Sequence, residues 1–90
     1  MAFRRLMGVK MPYEQQVLVY AICRNYETQD RQTQDKILRL CREAGRQYAP
    51  ALFELVTGDR TVESVAMEHY MSATVLYACR RKLYERWFEK

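Results

Sequence analysis

Apolar residues recur at helical spacing along most of the chain, and short polar or Pro- and Gly-marked breaks interrupt them. Pro12 suits the start of a helix, where its missing N–H would go unbonded anyway. From there Tyr13, Val17, Leu18, Ala21, Ile22 and Tyr26 trace an apolar stripe and predict a first helix to about Glu27. Thr28 to Arg31 is a polar break. A second helix is predicted from about Gln32 to Gln47. It should bury Ile37, Leu40, Cys41, Ala44 and Tyr48 and keep Asp35, Lys36, Arg39, Arg42, Glu43 and Arg46 mostly wet. Gly45 weakens it near its end. Pro50 opens a short third helix carrying Leu52, Phe53, Leu55 and Val56, with Gly58 as its stop. Thr61 caps a fourth from Val62 to about His69, and Glu63 sits favourably beside the positive end of its dipole. After the brief break at Tyr70-Met71, Ser72 caps a last helix that runs to about Phe88.

Composition agrees with this all-α reading. The 90 residues are 49% hydrophobic and 29% charged, enough apolar content for one modest core, so disorder is excluded. Only three Gly and two Pro leave room for few turns and favour helices. No apolar run reaches the roughly 18–20 residues of a membrane span, and the N-terminus does not read as a secretory signal, so no membrane partner is expected. The net charge of +4 sits at the two ends. Residues 1–12 carry Arg4, Arg5 and Lys10 with no acid, residues 13–58 balance, and in the tail Arg80, Arg81, Lys82, Arg86 and Lys90 face only Glu85 and Glu89. Such an arrangement suits a polyanion. Three cysteines, Cys23, Cys41 and Cys79, are too few and too scattered for a disulfide framework or a zinc cluster. They read as small core hydrophobes in a reducing, cytoplasmic compartment.

The stretch from Thr61 to Leu83 carries the sharpest signal. A short capped helix, a turn of about three residues and a second capped helix with cations beyond its middle have the form of a helix-turn-helix. Val65 and Ala66 face inward on the first, Met71 plugs the corner, and Leu76, Cys79, Leu83 and Trp87 form the inner stripe of the second. Ala73, Thr74, Tyr77, Ala78 and Arg81 remain outward near its start, where a recognition helix reaches base edges in the major groove.

This stretch resembles the helix-turn-helix of RinA/ArpU-like phage transcriptional regulators and, more loosely, region four of sigma factors. The matching residues are Ala51-Leu52-Phe53-Glu54-Leu55, then Thr61 with Val65-Ala66, then Ser72, Val75, Leu76 and Tyr77, then Arg80-Arg81-Lys82-Leu83, covering about 35–40 residues. The resemblance implies DNA binding through the last helix and a role in phage or prophage gene control. Two departures stand out. Tyr70 occupies the turn position where Gly, Asn or His is usual, and Ala73 stands where a polar or basic residue is common. The N-terminal half shows no such likeness.

The resulting expectation is an all-α single domain of about five helices over residues 1–90. It comprises a basic arm (1–12), a two-helix brace (13–48) and a tri-helical helix-turn-helix unit (50–90). Thr74, Tyr77 and Arg81 are expected to read bases. Ser72, Arg80, Lys82, Arg86, Arg60, Arg4 and Arg5 are expected to hold phosphates. A lone recognition helix covers few base pairs, which points to a homodimer or to docking on RNA polymerase. His69, the only histidine, reads as a packing or capping residue, and nothing resembles a catalytic set, so no enzyme activity, cofactor or metal is expected. Trp87-Phe88 should fold back onto the first helix or meet a second copy. A small helical adaptor for protein partners and a terminase-type DNA-packaging subunit are the competing readings.

Overall fold

Three of the helices begin behind a residue whose side chain accepts one of their otherwise unbonded N–H groups. The computed structural model describes residues 3–6 and 8–89, so Met1, Ala2, Met7 and the tail cation Lys90 lie outside the described residues. Helix α1 (Tyr13–Arg24) starts behind Pro12, whose carbonyl accepts the N–H groups of Gln15 and Gln16, both at 3.1 Å. A 3-10 turn at Tyr26–Thr28 leads to α2 (Arg31–Gly45), where the Asp30 carboxylate accepts the Thr33 N–H at 2.8 Å. That bond holds the Asp30 carboxyl below its ordinary value. A second 3-10 turn, Arg46–Tyr48, joins α3 (Ala49–Thr57), with Pro50 in its first turn. Thr61 caps α4 (Val62–Glu68) by accepting the Ser64 N–H at 3.1 Å, and Ser72 caps α5 (Ala73–Arg86) by accepting that of Thr74 at 3.1 Å. Among the described residues there is no strand, and no helix is long and apolar enough to cross a membrane.

Gly58 stops α3 for a different reason than expected. Its φ of −109° lies outside the left-handed region, but a Cβ there would come within 2.9 Å of the Glu54 carbonyl oxygen. Contact, not handedness, demands glycine.

Helix α2 lies against both α3 and α5, α3 also touches α1 and α4, and α4 lies on α5. The shared interior holds Ile37, Leu40 and Cys41 of α2, Leu52 and Leu55 of α3, Val65 of α4, Leu76 and Leu83 of α5, and Trp87 just past its end. Full burial of each large aliphatic side chain stabilises the fold by about 1.5–3 kcal/mol. Cys23, Cys41 and Cys79 all lie in this core, and desolvation pushes the first two thiols up to about 12.

Two expectations are corrected. The buried face of α1 is Gln16, Val19 and Cys23, whereas Tyr13, Leu18 and Ala21 of the expected stripe are exposed. Apolar residues occur on nearly every side of this helix, so spacing alone could not choose a face. The choice is made by the N-terminal segment: the fully buried Gln16 amide accepts the Leu6 N–H at 2.8 Å and donates to the Met11 carbonyl at 3.2 Å. Secondly, Trp87 lies against the second helix, not the first. It is buried with the Lys36 ammonium of α2 4.5 Å from its ring centre, while Phe88 stays about half exposed.

Candidate nucleic-acid interface

The corner between α4 and α5 is closed by backbone bonds. The Met71 N–H reaches back to the Ala66 carbonyl at 3.0 Å and the Tyr70 N–H to the Met67 carbonyl at 3.2 Å. This paired pattern defines a Schellman stop, whose middle residue must turn left-handed. Tyr70 does so at φ 54°, a region that costs a residue with a Cβ about 1 kcal/mol. Its ring is 97% exposed, so burial within the chain returns nothing. Met71, next along, is half-buried against the core.

Helix α5 divides cleanly. Leu76, Cys79, Leu83 and Tyr84 are buried; Thr74, Tyr77, Ala78, Arg81 and Lys82 are exposed. Ala73, expected outward, is half-buried against the core. Of the residues expected to read bases, Tyr77 is the most constrained. Its hydroxyl donates to the Glu63 carboxylate of α4 at 2.7 Å, and the Arg80 guanidinium lies 5.3 Å from its ring centre. The bond from Tyr77 holds the Glu63 carboxyl below its ordinary value and pushes the Tyr77 phenol up. Arg80 is half-buried over that ring, and desolvation lowers its pKa.

The expected phosphate ligands fall into two groups. Arg60 is gripped by its own chain: Nη1 lies 2.8 Å from Glu54 Oε1 and 2.6 Å from Glu68 Oε2, and Nη2 donates to Ser64 Oγ at 2.6 Å. Arg86 pairs with Glu43 of α2 at 3.2 Å. Ser72 spends its oxygen on the α5 cap. In contrast, Arg81 and Lys82 enter no ion pair among the described residues, and neither do Arg4 and Arg5. Arg5 leans over the Tyr13 ring at 5.8 Å. The segment bearing Arg4 and Arg5 is anchored by Phe3, whose ring lies 4.8 Å from that of Tyr20 and stacks on that of Tyr84 at 6.3 Å. Farther on it passes α5 at Gly8, where an added Cβ would lie 3.5 Å from Arg81 Nε. Gly8 of this segment therefore lies beside Arg81.

His69 closes the C-terminal end of α4, with Nε2 2.8 Å from Glu54 Oε2. Glu54, Glu68 and His69 bring their ligand atoms within 4.8 Å of one another, a grouping that could hold a metal ion. Here Arg60 already supplies the positive charge between the carboxylates. The contacts of Gln16 and Glu63 escaped sequence reasoning, since neither partner lies at a spacing that any local rule connects. Comparison with family models, curated proteins and solved structures finds no match for the chain.

Proposed function

We propose that this chain binds double-stranded DNA in transcriptional control, with α4, the turn at residues 69–71 and α5 working as a helix-turn-helix and α3 as the third helix of that unit. One observation carries the reading: the side of α5 that bears Thr74, Tyr77 and Arg81 faces solvent, with Arg81 and Lys82 free of acidic partners among the described residues. A helix so exposed can enter a major groove by its N-terminal half and lay its later cations along the phosphates. Lys82 and the Arg4–Arg5 segment serve the backbone, Arg81 reads a base edge, and Arg60 and Arg86 contribute only after leaving their carboxylates. The likeness to RinA/ArpU-like phage regulators supports the same assignment. One such unit covers few base pairs, so a second copy or RNA polymerase completes the complex.

Fluorescence anisotropy of a labelled duplex across a salt series tests this reading. Neutralising about four phosphates gives a log–log slope of about −3 to −4. Arg81→Ala should blur discrimination between sites, whereas Lys82→Ala should weaken all duplexes alike and flatten the slope by about 1. A salt-independent signal sinks the proposal. The adaptor reading draws on the exposed Met67 (77%) and Tyr70 beside the α4–α5 corner. It predicts that Lys82→Ala changes nothing and that Tyr70→Ala abolishes partner capture.

A further inference from the structure

The Tyr77–Glu63 pair has a consequence for which bases α5 can accept. A free tyrosine hydroxyl is ambivalent, able to donate a proton or to receive one. Here the O–H is committed to Glu63 at 2.7 Å, so only the lone pairs of the phenolic oxygen remain for another molecule. The carboxylate receiving that proton is itself acceptor-only, with about four lone-pair sites in all. The Tyr77 hydroxyl draws on one of them. Arg80 over the ring fixes the tyrosine in this pose, and both Tyr77 and Glu63 are exposed. Two adjoining oxygens from two helices thus offer acceptors and no donor.

We infer that Glu63 and Tyr77 together form a selectivity element that admits a base carrying an exocyclic amino group, adenine or cytosine, and rejects guanine or thymine at one position of the major groove. The inference rests on the DNA-binding reading above. Its chemistry is direct: adenine N6 and cytosine N4 present donors in the major groove, whereas guanine O6 and N7 and thymine O4 present acceptors. Acceptor facing acceptor leaves both desolvated and unpaired. Glu63 also repels phosphate, so it trades affinity for discrimination.

Selection from random duplexes with the full chain tests this, comparing wild type with Glu63→Gln and with Glu85→Gln. Glu85 is an exposed acid farther along α5, so its substitution removes the same charge without touching the pair. Wild type should enrich adenine or cytosine over guanine or thymine by about tenfold at one position. Glu63→Gln, whose amide offers a donor as well as an acceptor and so no longer commits Tyr77 to donating, should reduce that ratio to about twofold or less. Affinity for random duplex should rise modestly in both variants, and Glu85→Gln should keep the wild-type preference. Circular dichroism verifies that both variants fold. If Glu63→Gln binds with an unchanged preference, or wild type favours guanine or thymine at every specified position, the inference is overturned while DNA binding stands. If wild type binds no duplex at all, the DNA-binding reading and the inference fall together.

Discussion

Two sets of cations on this small molecule are nearly identical in sequence terms and opposite in structure. Arg60 and Arg86 each find carboxylates on other helices: Glu54 of α3 and Glu68 of α4 for the first, Glu43 of α2 for the second. Arg81 and Lys82, one helical turn before Arg86, find none among the described residues. The first set ties helices together; the second leaves its charge facing outward. A count of basic residues would treat all four alike, yet a cation already paired with a carboxylate must give up that partner before it can neutralise a phosphate.

The largest effect that could break this contrast lies in binding. Arg81→Ala should cost about 1–3 kcal/mol of discrimination between sites, and Arg86→Ala should leave it unchanged, both read by competition anisotropy. If the two variants behave alike, the division between tied and free cations has no bearing on DNA. Gln16→Ala should come next, at about 1–3 kcal/mol of fold stability in a urea melt, because it strands the Leu6 N–H and the Met11 carbonyl. Exchange of the Leu6 amide should quicken in step, and binding should fall as the Arg4–Arg5 segment comes loose. Tyr70→Gly should stabilise the chain by about 1 kcal/mol, seen as a thermal midpoint about 4–8 °C higher, since glycine relieves the left-handed turn and the lost ring touches nothing. Arg86→Ala should destabilise by only about 0.2–1 kcal/mol, the ordinary worth of a part-exposed pair.

The smallest effect is in pH. Glu54 sits below its ordinary value of 4.5, held there first by the His69 hydrogen bond and then by the charges of His69 and Arg60. Its contribution to stability is therefore complete above about pH 4.5 and is lost as pH falls through the lowered value. A midpoint-versus-pH series should show this decline in wild type and a flatter curve in Glu54→Gln.

Much of the architecture was readable from local rules. Thr61 and Ser72 cap the helices that follow them, and the inner stripes of α2 and α5 follow the three-and-four spacing of Ile37, Leu40, Cys41 and Ala44, and of Leu76, Cys79 and Leu83, continued by Trp87 just past the end of α5. What defeated the sequence was any contact between distant partners. Helix α1 turns Gln16 inward because residues 6 and 11 are waiting for it, and Trp87 settles on Lys36 because α2 passes beneath both α3 and α5. The outward position of Thr74, Tyr77 and Arg81 was legible from period alone. The partner of Tyr77, fourteen residues upstream, was not.

All three native thiols are sealed in the interior, and burial pushes Cys23 and Cys41 up to about 12. The folded chain thus offers no reactive sulfur at neutral pH. A single cysteine placed at Tyr70, whose ring touches nothing, would be chemically unique. A fluorophore attached there would watch a partner approach the α4–α5 corner without first stripping the molecule of its own sulfhydryls.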